Sequence, residues 1–184
     1  QPGGAISPEA TLAPFEGDIP EPRDFVGTGA NWSYLDDGSN QGTAWRVVAF
    51  DDSDWPSGSS ELGYSEGDEA TLIGFIDVQP ETVGTQRNAT TYFRHKVDIS
   101  ESASYSYFSL KMKYDDAAAV YINGAEVIRT ANLSVGAAFD TYATSGTPNE
   151  RTYFEFIISP SLFIDGENTI AVEIHNSSAG SSDI

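Results

Sequence analysis

Apolar and polar residues alternate along much of this chain with a period of two, and helical spacing is nearly absent. In Asn168-Thr-Ile-Ala-Val-Glu-Ile-His-Asn176, Ile170, Val172 and Ile174 fall on one side, with Ala171, Glu173 and His175 on the other. That is the pattern of a strand with one face turned inward. In Thr91-Tyr-Phe-Arg-His-Lys-Val97, Phe93, His95 and Val97 share a face, which predicts a buried structural His95. His175, opposite the apolar set, is expected to be exposed or bonded to a loop. In Asn31-Trp-Ser-Tyr-Leu35, Trp32 and Tyr34 share a face, and Asp36-Asp37-Gly38 then turns the chain. Further strands are predicted over 105–112, 117–122, 125–129 and 152–158. Asn123-Gly124 supplies the two φ > 0 residues of a type I′ hairpin between the middle two. A short helical turn or a strand start is expected over 43–48, and a helical turn over 159–163. Residues 50–58, 61–74 and 131–150 read as loops and 77–89 as a connection.

Pro2, Pro8, Pro14, Pro20 and Pro22 forbid a long helix at the start of the chain. The division that follows is an extended Pro/Gly-rich segment over 1–24 and one module over 25–184. With 184 residues, 39% hydrophobic, the chain is long enough for one sizeable core. The fold class predicted is all-β: a β-sandwich of jelly-roll type, about eight or nine strands in two antiparallel sheets.

Charge narrows the partners. The chain has 28 acidic and 9 basic residues, a net charge of -19. Such a field repels phosphate backbones and acidic lipid surfaces, so nucleic acid and membrane are not expected partners. Neutral glycans, cationic partners and divalent metals remain open. The absence of cysteine excludes disulfides and thiolate metal sites. No apolar run approaches the length of a membrane span.

Several blocks together carry a family resemblance. They are Trp32-Ser-Tyr-Leu-Asp-Asp-Gly-Ser-Asn-Gln-Gly-Thr-Ala-Trp-Arg46, Phe50-Asp-Asp-Ser-Asp-Trp55, Leu62-Gly-Tyr-Ser-Glu-Gly-Asp-Glu-Ala-Thr71 and Thr91-Tyr-Phe-Arg-His95. Lys111 to Arg129 and Glu173 to Asp183 complete the set. From Trp32 onward the chain resembles the galactose-binding-like β-sandwich of accessory modules in secreted bacterial proteins. That fold is similar to the sugar-binding domain of family 2 glycosidases and to carbohydrate-binding modules. The resemblance implies an extracellular, non-catalytic module that holds a catalytic domain of the same polypeptide on a polysaccharide. It also implies a structural calcium near the joined chain ends, with Asp183 contributing. The family pattern continues past Ile184 into a further strand, so one sheet edge is expected to lack its neighbour.

Sugar rings stack on flat aromatic faces while polar neighbours take their hydroxyls, so loop aromatics beside carboxylates are the candidates. These are Trp55, Tyr64 and Tyr142, with Tyr114 next to Asp115-Asp116. Trp45 is a further loop aromatic of the same kind; Trp32, Trp45 and Trp55 also read as plugs for the core, and Asp115-Asp116 as a turn that bonds its own backbone. Calcium needs six to eight oxygen ligands, for which Asp36-Asp37, Asp51-Asp52-Asp54 and Glu66-Asp68-Glu69 qualify in composition. Asp68, Glu69 and Asp183 are the metal candidates. No nucleophile elbow, zinc pair or phosphate-cradling loop occurs. The chain is therefore expected not to be an enzyme. A calcium-stiffened spacer or protein-docking module is the alternative reading. A polysaccharide lyase or hydrolase is a weaker one, resting on Arg94, Tyr92 and His95, although alternation points His95 away from the other two.

Overall fold

The computed structural model describes residues 22–65, 67–74 and 87–184. The extended segment expected before residue 22, Glu66 of the third acidic cluster, and most of the connection expected over 77–89 lie outside the described residues. Among the described residues there are ten strands: β1 (Asn31–Leu35), β2 (Ser57–Ser59), β3 (Leu62–Gly63), β4 (Thr71–Leu72), β5 (Thr90–Ile99), β6 (Phe108–Met112), β7 (Ala117–Ile122), β8 (Ala125–Arg129), β9 (Phe154–Ile158) and β10 (Gly166–His175). Single 3-10 turns occupy Ala44–Arg46, Ser102–Ser104 and Pro160–Leu162. The protein is a β-sandwich with no longer helix among the described residues.

The larger sheet runs β2-β1-β5-β10-β7-β8 and is antiparallel throughout. Its spine is the ten-residue pairing of β5 with β10, from Gly166 opposite Ile99 to His175 opposite Thr90. Asn123 and Gly124 have φ of 52° and 92°, as the predicted hairpin between β7 and β8 requires. β6 and β9 form a second antiparallel pair. β3 and β4 pair in parallel over two residues each, inside the stretch expected to be loop.

Alternation decides the core. Phe93, Val97 and Ile99 of β5, Val120 and Ile122 of β7, and Ile170, Val172 and Ile174 of β10 all point to one side of the large sheet. There they meet Phe108, Leu110 and Met112 of β6 and Phe156 and Ile158 of β9. Phe25 closes one corner, its ring 5.5 Å from Tyr105 and 5.6 Å from Phe108. Burying this set supplies the main driving force, at about 25 cal/mol per Å² of apolar area.

The other side of the sheet departs from expectation. Ala171, Glu173 and His175 were expected to face outward, yet all three are buried. Loop residues around 42–55 and 131–147 lie over them, and Trp45, Leu133 and Ala143 pack against Ala117, Ala119, Tyr121, Ala171 and Tyr92. Small alanine side chains leave room for the indole of Trp45 directly on the sheet. His175 is thus buried as well as loop-bonded: its Nδ1–H donates to the Thr141 carbonyl, 2.7 Å away. His95 occupies the predicted face with Phe93 but is only half-buried. It lies near Trp32, ring centroids 5.0 Å apart, and donates from Nδ1 to the Asn31 carbonyl. Arg94, on the opposite face, is buried and gathers the carbonyls of Trp45, Val47 and Phe50 with the Asp52 carboxylate. No cleft joins Arg94, Tyr92 and His95, because the sheet separates the third from the first two.

Candidate binding site at one end of the sandwich

Where β6 ends and β7 begins, the chain crosses from the small sheet to the large one through Lys113, Tyr114, Asp115 and Asp116. Both carboxylates are buried. Asp116 anchors two other segments: its Oδ2 accepts the Ser177 amide at 2.5 Å and the Ser181 hydroxyl at 3.4 Å. Its main-chain carbonyl accepts the Asn132 amide at 3.1 Å and the Thr147 hydroxyl. The long loop after β8 and the segment after β10 are thereby drawn to one point.

Asp115 behaves differently. Burial raises its carboxyl pKa to about 8, helped by hydrogen bonding to Asp116 and by the negative charges of Asp116, Asp183 and Glu150. The proton so favoured is held between Asp115 and Asp116, and the two carboxyls titrate as a pair.

Three tyrosines belong to the same end. Tyr64 is buried, with the Arg87 guanidinium 4.5 Å from its ring centre and the Asn176 amide donating to its hydroxyl at 3.3 Å. Burial pushes the Tyr64 phenol up. Tyr142 is half-buried and its hydroxyl donates to the Arg87 carbonyl at 3.3 Å. Tyr114, also half-buried, packs on Phe154 at 4.9 Å. Five of the six predicted sugar-contacting residues therefore gather at this end. Trp55 does not: it packs with Phe50 and Tyr92 in the outer cover of the large sheet.

The metal candidates divide as well. Asp68 lies 3.8 Å from Lys113 Nζ, which hydrogen-bonds Glu61 at 2.8 Å. Glu69 accepts the Gly67 amide at 2.8 Å. Gly63 brings Glu69 close to the chain's last carbonyl, since a Cβ there would lie 2.4 Å from Ile184 O and 3.4 Å from Glu69 Cγ. Asp183 is near enough to Tyr64 and Asp115 to act on both. Among the described residues no three His, Cys, Asp or Glu side chains converge to hold a metal ion.

Arg87, Asn176 and Glu150 belong to this end and were not singled out from the sequence. Glu150 closes a loop that its length had marked. Nothing local marks Arg87, whose role depends on Tyr64 arriving from a distant segment. Asn176 ends a strand, and its amide nitrogen also donates to the Asn88 carbonyl at 2.7 Å.

No protein-family model and no curated protein sequence matches the chain. Solved structures do. A family 2 glycoside hydrolase β-glucuronidase is similar with a TM-score of 0.53 and 20% identity, over 81% of this chain and 13% of that one. A β-glycosidase from Bacteroides vulgatus gives 0.51 and 17%, over 83% and 17%. A calcium-binding mutant of Bacteroides uniformis β-glucuronidase 2 gives 0.47 and 24%, over 80% and 14%. The chain thus spans less than a fifth of the length of each of these enzymes, and at such identities the likeness is one of fold.

Proposed function

We propose that this chain is a non-catalytic carbohydrate-binding module of a secreted bacterial protein, holding an attached catalytic domain on a neutral polysaccharide. The observation that carries the reading is the placement of half-exposed Tyr114 and Tyr142 at the same end of the sandwich as Asp115 and Asp116. The rings offer stacking faces, and the carboxyls beside Tyr114 offer acceptors for sugar hydroxyls. The partial likeness to glycosidases supports a sugar-related accessory role. The net charge of -19 favours an uncharged ligand over an acidic one.

The calcium-stiffened spacer or docking module is the second reading. What favours it is that Tyr64 is buried and that Asp116 Oδ2 holds the segment after β10. Calorimetric titration with neutral mono- and disaccharides, in calcium and then in EDTA, separates the two. The binding module gives saturable heat with one sugar class, weakened about tenfold by Tyr142→Ala, the scale of one lost ring contact. Loss of heat in EDTA would put a cation in or under the site. Absence of heat together with a calcium-dependent Tm would replace the module with the spacer.

A further inference from the structure

The β6–β9 pair buries Phe108, Leu110, Met112, Phe154, Phe156 and Ile158 on its inner side, so its outer positions should be polar. Three are not. Tyr107 is 59% exposed, Tyr153 55% and Ile157 66%, which makes three of the seven large exposed apolar side chains among the described residues. The other four are scattered singly over separate segments. Tyr107 and Ile157 are neighbours at one end of that face, and Tyr153 stands at the other.

The order of residues along that face says what it suits. Ser109 stands opposite Ile157 and Lys111 opposite Glu155. Tyr107 precedes β6 at one end. Tyr153 precedes β9 at the other, with Lys113 Nζ 5.6 Å from its ring centre. From Tyr107 to Lys113 the strip is about 20 Å long at the usual rise of a strand. Its middle carries Ile157 beside three polar side chains: Ser109 donates to Glu155 at 2.5 Å and Lys111 lies 3.8 Å from the same carboxylate. Aromatic rings thus stand at the two ends of a strip whose middle holds Ser109, Ile157 and the Lys111–Glu155 pair. A protein-binding hot spot has the reverse arrangement, with aromatics at the centre and polar groups at the rim. The Lys111–Glu155 pair also leaves the strip locally balanced in a strongly acidic chain. A polyanion would meet the net field, and a polycation would be drawn to the acidic loops.

We propose that the outer face of β6–β9 is a second glycan site, taking an extended neutral oligosaccharide laid along the strands with rings stacked on Tyr107 and Tyr153. This rests on the module reading above but not on the end site, and the two come apart experimentally. The probes are a soluble β-glucan, galactan, mannan and xylan in native affinity gels, with calorimetry on di- to hexasaccharides of whichever retards the protein. The wild-type chain should bind the hexasaccharide more tightly than the disaccharide. Tyr107→Ala combined with Tyr153→Ala should lose at least tenfold on the polysaccharide, about what two ring contacts contribute. That variant should keep its disaccharide affinity and its Tm, since both rings are exposed. Tyr142→Ala should show the opposite pattern. If the double variant binds polysaccharide as the wild type does, the face site is overturned and the module reading stands. If no polysaccharide or oligosaccharide binds, both are overturned. If the double variant instead abolishes a self-association seen by ultracentrifugation, with polysaccharide binding unchanged, the face is a protein interface and the proposal fails.

Discussion

The two faces of the large sheet are built from alternate residues of the same strands, yet they are held in different ways. The inner face of β7 and β10 presents Val120, Ile122, Ile170, Val172 and Ile174 to a second sheet. The outer face presents Ala117, Ala119, Tyr121, Ala171, Glu173 and His175, covered by loops rather than by strands. The inner face is non-directional apolar packing, which tolerates exchange of similar volumes. The outer face combines Trp45 packing with a buried polar network. Glu173 accepts the Tyr121 hydroxyl at 2.7 Å and lies 3.4 Å from Arg46 and 3.9 Å from His175. Loops lack a ladder of their own to lock them onto a sheet, so directional bonds fix their placement. The Thr141 carbonyl on His175 and the Ala143 amide on the Asn176 carbonyl, 2.8 Å, serve that end.

If the faces differ in this way, substitutions should separate them. Trp45→Ala should cost about 3–5 kcal/mol and Ile122→Ala about 2–5 kcal/mol in urea unfolding. Hydrogen exchange should distinguish the two. Trp45→Ala should release protection first in the loops over the outer face, and Ile122→Ala across the whole sheet. Equal loss everywhere from Trp45→Ala would mean that the loops and the sheet open as one unit.

Ala119→Leu is a smaller perturbation. The residue lies beneath Trp45 with no accessible surface. Added bulk should lift the loop cover and cost about 1–3 kcal/mol. An unchanged Tm would show that the cover adapts.

The smallest effect expected is electrostatic. Burial works to raise the Glu173 carboxyl, but the pull of His175, the Tyr121 hydroxyl and Arg46 outweighs it and holds the group below its ordinary value of 4.5. Its contribution is therefore present above about pH 4.5 and is lost as pH falls through the lower folded-state value. Glu173→Gln should cost about 1 kcal/mol at pH 7 and flatten the acid limb of the stability curve. A steeper limb in that variant would contradict the assignment.

Legibility in the sequence followed the same divide. Strand positions over 31–35, 117–122, 125–129 and much of 91–97 and 169–175 were readable, because period-two patterning and Asn123-Gly124 are local signals. So was the inner face, and with it the separation of His95 from Tyr92 and Arg94. The burial of Ala171, Glu173 and His175 was not readable. A strand covered by loops on its second face shows the same alternation as one facing water. Asp115, Asp116, Tyr64, Tyr114 and Tyr142 could be named as candidates from residue type. That they meet, and that Trp55 stands elsewhere, depended on which segments cross at one end. Tyr107 and Tyr153 carried no motif, and only the β6–β9 register puts them at opposite ends of one face.

By itself, then, the sequence determined the all-β class, the inner core and the acidic field. These follow from short-range alternation, turn chemistry and composition, which need no partner to be read. The tertiary structure decided the buried network beneath the loops, the raised Asp115 carboxyl and the outer strip. Each of these arises from segments distant in the chain, and a carboxyl's affinity for protons is set by the neighbours and the water that folding leaves around it.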